Sequence, residues 1–133
     1  MRKRFYVSSR KDRSAEADAL SEKLQARGWE RTYKWTAHDG EGTDAHAKAA
    51  LEVLEGVRKA DVLIVLLPGG FGTHVEIGAA LALGKSVILH SPDQETLEKP
   101  YPCVFHHHPS VKRLISETLE LEVLLAHMAP DGK

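Results

Sequence analysis

The stretch Asp61–Lys85, DVLIVLLPGGFGTHVEIGAALALGK, constrains the fold more than any other part of the chain. Val62 to Leu67 is an unbroken apolar run, which suits a parallel strand covered on both faces. Pro68-Gly69-Gly70 stops that strand. Proline offers no ladder donor, and glycine permits a positive φ or a close backbone approach. A helix is expected from Thr73 to Leu83, favoured by Ala79, Ala80 and Ala82 and closed by Gly84. Strand, glycine-rich turn and helix in succession leave free N–H groups and the positive end of a helix dipole at the turn, which suits an anion or a polar ligand.

Glu76 follows Thr73 by three residues. That spacing admits a capping box, in which Thr73 and Glu76 each bond the other's backbone N–H. It also admits a carboxylate held ionised by the helix N-terminus, at the mouth of a glycine-lined pocket. Spacing alone leaves both readings open.

The remainder alternates strand and helix. Arg4–Ser9 reads as a first strand. Ser9–Arg13 is a polar, cationic turn, and Ser14 is the expected cap of a helix ending at Gly28. Trp29–Trp35 is expected to hold a second strand, with Thr32–Trp35 its aromatic and β-branched part, and 38–42 reads as a loop. Thr43 or Asp44 starts a helix to Lys59 with an Ala47, Ala50, Leu51, Leu54, Val57 stripe. Ser86–His90 is a fourth strand. Residues 93–101 are weakly patterned, with room for a short helix ended by Pro100. Cys103–Phe105 is the expected fifth strand, and Pro109-Ser110 opens a last helix carrying apolar residues from Val111 to Met128.

At 133 residues, one α/β domain is expected, a flavodoxin- or Rossmann-like parallel sheet with helices on both faces. Five strands in the order 2-1-3-4-5 put the first and third side by side, with the direction switch between them. Ser8-Ser9-Arg10 and Pro68 to Thr73 then converge on one crevice at the carboxyl ends of the strands.

A net charge of −1 with interspersed signs argues against a nucleic-acid polymer as partner. Met1-Arg2-Lys3-Arg4 is a short basic start without a following apolar core, so a secretory signal is not expected. No run is long enough to span a bilayer, and a cytoplasmic protein is the expectation. The single Cys103 excludes an internal disulfide. Gly70-Phe71-Gly72-Thr73-His74-Val75 lacks the third glycine of a dinucleotide site, and no Gly-Lys-Ser/Thr is present. No cofactor is expected. His106-His107-His108 cannot all face one ion, and no Cys or carboxylate stands at ligand spacing. A solvent-facing or interface loop is expected there rather than a metal site, and His74 and His90 are expected to make local hydrogen bonds.

Ala60-Asp61 before the strand, Glu76-Ile77-Gly78 and the Ala-rich helix ending Gly84-Lys85 resemble the nucleoside 2-deoxyribosyltransferase superfamily, which includes the 2′-deoxynucleoside 5′-phosphate N-hydrolases. Phe5-Tyr6-Val7-Ser8-Ser9 and Tyr33-Lys34-Trp35-Thr36 also look like its small members. The resemblance implies that Glu76 attacks C1′ of the sugar, forming a glycosyl-enzyme that water or a second base resolves, as in retaining glycoside chemistry. It implies Tyr6 (or Phe5 in another alignment) as the aromatic partner of the nucleophile. Ser8, Ser9 and Arg10 would meet a sugar hydroxyl or 5′-phosphate, and Gly69, Gly70, Gly72 and Thr73 would close on the ligand. Trp35, His38 and Ser91 complete the substrate-binding set, and a homodimer or higher homo-oligomer is implied, with Ser91 and the Phe105–His108 loop reaching a shared site. Val53 stands where several members carry an Asp, and Gly69-Gly70 where the transferases carry another. Pro68-Gly69-Gly70-x-Gly72-Thr73-x-x-Glu76 also looks like the cytokinin-activating phosphoribohydrolases, which release a base from a nucleoside monophosphate. A nucleotide-sensing module without chemistry is the non-enzymatic alternative.

Overall fold

The computed structural model describes residues 3–128, so Met1 and Arg2 of the basic start lie outside the described residues. Five parallel strands form one sheet in the order β2-β1-β3-β4-β5. They are β1 (Arg4–Ser8), β2 (Glu30–Arg31), β3 (Val62–Leu66), β4 (Ser86–Ser91) and β5 (Val111–Ile115). The helices are α1 (Ser14–Gln25), α2 (Thr43–Lys59), α3 (Phe71–Ala82), α4 (Gln94–Glu98) and α5 (Leu121–Met128). This is the expected fold class and strand order.

Side-chain alternation along the strands divides the core in two. Tyr6, Leu63, Val65, Val87 and Leu89 pack with Val57 of α2, Ile77 and Ala80 of α3, and Leu97 of α4. Phe5, Val7, Ile64, Leu66 and Ile88 pack on the other face with Ala17 and Leu24 of α1 and Leu124 and Met128 of α5. All five residues of β3 are buried, as its unbroken apolar run requires. Gly28 and Gly84 end their helices at φ +91 and +72, the left-handed conformation that glycine adopts without strain.

Several elements lie elsewhere than the sequence suggests. β2 is confined to Glu30–Arg31, the start of the expected Trp29–Trp35 segment: the chain leaves the sheet edge after it and makes a 3₁₀ turn at Trp35–Ala37. The aromatic residues that mimic a strand are used to wall a cavity instead. The fifth strand is Val111–Ile115, within the segment expected to begin the last helix, while Cys103–Phe105 runs into a 3₁₀ turn at Val104–His107. Val111 and Leu114 satisfy a helical spacing by coincidence. Backbone pairing with β4, from Val87↔Val111 to Ser91↔Ile115, decides for the strand. Lys112 and Arg113 are exposed on this edge strand, where charge discourages further pairing. The last helix is consequently short, with Leu124 and Met128 buried on the sheet. A 3₁₀ turn at Lys11–Arg13 precedes α1, so Arg13 rather than Ser14 holds the cap position. α3 starts at Phe71, with Gly70 as its cap, rather than at Thr73.

Candidate active site

β1 sends Tyr6 and Ser8, two residues apart, to the face shared with α2 and α3, and Phe5 to the other. Because α3 starts at Phe71, Glu76 falls in its second turn and points down onto β1. Its carboxylate is bonded on both oxygens: Tyr6 Oη donates to Oε2 at 3.0 Å and Ser8 Oγ to Oε1 at 2.5 Å. The capping-box reading is thereby overturned. Thr73 Oγ1 accepts from Gly70 N at 3.1 Å and closes the helix start without Glu76. The alignment choice between Phe5 and Tyr6 resolves to Tyr6, the one with a hydroxyl at the carboxylate.

Glu76 is only 8% exposed. Burial pushes its carboxyl above the ordinary range, while the hydrogen bonds from Ser8 and Tyr6 pull it down without cancelling the effect. Burial, with the charge and hydrogen bond of Glu76 adding to it, drives the Tyr6 phenol far above its usual range, so it stays protonated and donates. A buried carboxylate with two fixed donors is held in one orientation.

This carboxylate lies in the wall of a cavity of about 570 Å³. Ser9, Arg10 and Lys11 line it from the turn after β1, Gly70, Phe71, Gly72 and Thr73 from the start of α3, and Ala49 and Val53 from α2. Tyr33, Trp35, Thr36 and His38 supply the remaining wall. The cavity therefore joins a cationic, N–H-rich rim to an aromatic and aliphatic flank. Among the described residues the Arg10 side chain holds only Asp12, through an exposed pair at 2.9 Å, and such a pair constrains little.

The segment 33–38 has no ladder to fix it, and side chains do so instead. Trp35 Nε1 donates to the Val7 carbonyl at 2.7 Å, and Thr36 Oγ1 to Asp18 Oδ1 at 2.7 Å. Asp18 is also paired with Arg31 Nη1 at 2.9 Å. Burial pushes the Asp18 carboxyl up, but the bonds from Thr36 and Arg31 outweigh it, and the group sits below the usual aspartate range. Among the described residues, the buried His38 Nε2 meets no partner.

Of the residues singled out by sequence, Ser9, Arg10, Trp35, His38, Gly70, Gly72, Thr73 and Glu76 line the cavity, with Tyr6 and Ser8 on the carboxylate. Gly69 does not line it. A Cβ there would meet the Thr73 side chain at 2.6 Å, so this glycine is required by packing within the turn. Gly70 keeps a φ of −120, so the turn uses glycine for approach and not for a left-handed backbone. Ser91 is apart from the cavity, its hydroxyl donating to the Asp93 carbonyl at 2.7 Å. Lys11, Ser14, Tyr33, Thr36, Ala49, Val53 and Phe71 join the wall without having been singled out as site residues. Tyr33 and Thr36 sit inside the segment Tyr33–Thr36 that signals them; Val53 is signalled by the acid that relatives carry there, and Ala49 lies outside the expected Ala47, Ala50, Leu51, Leu54, Val57 stripe, of which only Val57 is buried.

The histidine triplet does not act as a unit. His106 is buried and turned to His74 of α3, with the two Nε2 atoms 2.9 Å apart, while His107 is exposed. Burial, then His74 and His107, hold the His106 ring down at about 4, so it is neutral. His90 bonds the Ser116 carbonyl at 2.8 Å, the local role expected of it. Among the described residues no helix is long and apolar enough to cross a membrane.

Known proteins share this architecture. The CMP N-glycosidase BcmB of Clostridium botulinum matches with a TM-score of 0.59 and 22% identity, over 92% of this chain and 98% of that one. A 2-deoxyribosyltransferase from the psychrotolerant bacterium Bacillus psychrosaccharolyticus matches with a TM-score of 0.63 and 18% identity, over 91% and 95%. At these identities the likeness is one of fold. No curated protein matches the sequence. The family model of nucleoside 2-deoxyribosyltransferase matches residues 6–124, from the tyrosine that holds Glu76 to the helix that closes the far face; the chain belongs to the nucleoside 2-deoxyribosyltransferase family.

Proposed function

We propose that the protein cleaves or transfers the N-glycosidic bond of a nucleoside or nucleoside 5′-monophosphate, with Glu76 as nucleophile. The observation that carries this reading is the Glu76 carboxylate, buried in a cavity wall with Tyr6 and Ser8 donating one to each oxygen. Membership of a family that works on N-glycosidic bonds supports it, as do the activities named for the two similar folds.

The ionised Glu76 attacks C1′, forming a C1′–O ester bond as the C1′–N bond breaks and the base leaves with the electron pair. Tyr6 and Ser8 keep the attacking oxygen aimed and favour the charged form that attack requires. We assign the proton that the leaving base takes up to His38, whose ring lines the cavity. Water, or a second base, then opens the ester with net retention. Trp35 and Tyr33 supply flat surfaces for a base. Arg10, Lys11 and the free N–H groups of the first turn of α3 suit a 5′-phosphate. A dimer belongs to this reading: the adjacent α2 and α3 leave Leu51, Leu54, Phe71 and Val75 in water, and a second copy of the chain is the surface that would cover them.

The test is incubation of the protein with a panel of nucleosides and nucleoside monophosphates, followed by detection of free base. Release from at least one member is expected. Val53 in the wall, where several relatives carry an acid, favours the sensing module as second reading; binding of a nucleotide without release from any would establish it.

A further inference from the structure

We propose that His74, Cys103 and His106 form a binding site for a divalent cation of borderline softness, with Zn²⁺ as the natural occupant. Nothing in the N-glycosidic reading uses these three side chains. They come from two separate elements: His74 from α3, and Cys103 and His106 from the 3₁₀ turn before β5. Their ligand atoms nevertheless all lie within 4.8 Å of one another. In a tetrahedral zinc site with bonds of about 2.0–2.3 Å, neighbouring N and S atoms stand about 3.3–3.6 Å apart. Small side-chain rotations therefore bring the three onto one ion.

The orientation of His74 is the second observation. Its Nδ1 lies 2.9 Å from the Gly70 carbonyl. A carbonyl accepts only, so Nδ1 carries the proton and the lone pair is on Nε2, which faces His106. An outer carbonyl fixing the far nitrogen is the usual arrangement around a metal-bound histidine. His106 is 5% exposed and its other nitrogen, Nδ1, has no partner among the described residues. The turn that presents it is itself fastened. Arg113 Nη1 donates to the His106 carbonyl at 3.0 Å, and His106 N to the Cys103 carbonyl at 3.0 Å. Cys103 is half-buried and free. The expectation that no cysteine stands at ligand spacing thus fails: residues three apart on a tight turn share a face, and the third ligand comes from a helix distant in sequence.

Three protein ligands leave a fourth position open to water or to a further ligand, as in exchangeable zinc sites. The ion would pin the 104–107 turn to the start of α3, two residues before Glu76 and against Gly70 of the cavity rim. The proposal stands whether or not Glu76 is a nucleophile, since its readout is the metal alone.

The experiment is a titration of the untagged, reduced, metal-free chain with Co²⁺, then displacement by Zn²⁺. Cys103 is the only cysteine, so a near-ultraviolet thiolate-to-cobalt band can arise from no other residue. The expected result is that band together with the visible absorption of tetrahedral Co²⁺, saturating at one ion per chain and abolished by Zn²⁺. Cys103→Ser should remove the band, and His74→Ala should weaken binding by more than the roughly 100-fold that loss of an outer partner costs. His74 is exposed, so its removal leaves the fold in place even if Cys103→Ser disturbs it. Zn²⁺ should also slow alkylation of Cys103 in the native chain but not in His74→Ala. Cobalt binding without the thiolate band, equal affinity in His74→Ala, or no binding at all would each overturn the proposal and leave a hydrogen-bonded histidine pair.

Discussion

Tyr6 and Ser8 hold Glu76 without lining the cavity themselves, so in the proposed mechanism they are positioning residues. A hydrogen bond to a buried charge is worth about 1.5–3 kcal/mol, so Tyr6→Phe and Ser8→Ala should each lower kcat for base release roughly 10- to 150-fold, with KM little changed. Steady-state kinetics on the folded variants checks this, and unaltered kcat would remove them from the mechanism. Arg10 acts at the rim instead. Monophosphates should bind better than nucleosides, and Arg10→Ala should abolish the difference while leaving nucleosides unaffected, since a phosphate gains a charge-assisted contact there. Equal affinities in the native chain, measured by calorimetry, would take the 5′-phosphate out of the account. Glu76 and its turn are legible from sequence because a glycine break between an apolar run and an alanine-rich helix has few other uses. Its partners are legible only once strand alternation assigns Tyr6 and Ser8 to one face. The structure also shows why spacing misled about the cap: moving the helix start from Thr73 to Phe71 shifts Glu76 from the first turn into the second.

At the level of elements, the buried β3 and the extents of α2 and α3 follow from pattern, whereas the inward face of α2, with Leu51 and Leu54 exposed, the short extent of β2 and the place of β5 do not. Short edge strands carry little apolar signal, and their state is decided by a neighbour's backbone. The aromatic segment 33–37 shows the same limit, since its residues are held by Asp18, Arg31 and Val7 and not by a ladder. Arg31 is 6% exposed and Asp18 is its partner. Asp18→Asn should therefore cost about 3 kcal/mol, at the lower end for breaking a buried pair because Asp18 is partly open to water. A urea midpoint measures it. The pH dependence has a definite sign. Asp18 has a folded pKa below its unfolded value, so its contribution is complete above the ordinary aspartate value of about 4 and is lost as pH falls through the lower folded value. In Asp18→Asn that part of the acid destabilisation should vanish; an unchanged stability profile would contradict the role given to the pair.

For the whole molecule, the α/β class and the 2-1-3-4-5 order could be reasoned from alternation and crossover handedness, and with them the crevice between β1 and β3. Assembly is less legible. The final helix, whose leucines suggest an interface, buries Leu124 and Met128 on the sheet and leaves Val123 exposed, and Leu51, Leu54, Phe71 and Val75 of α2 and α3 are exposed as well. Leu51 is 72% exposed, and in sedimentation at micromolar concentration the native chain should run as the proposed dimer and Leu51→Glu as a monomer. A native chain that sediments as a monomer with full activity would show that one chain builds the whole site. The central claim is that Glu76 does the chemistry, and it is tested most directly by comparing free-base release by the native chain with that by Glu76→Gln, which keeps the shape and loses the charge. The account predicts a fall of at least about a thousandfold with circular dichroism and nucleotide binding preserved. Base release at the native rate by a folded Glu76→Gln protein would contradict it.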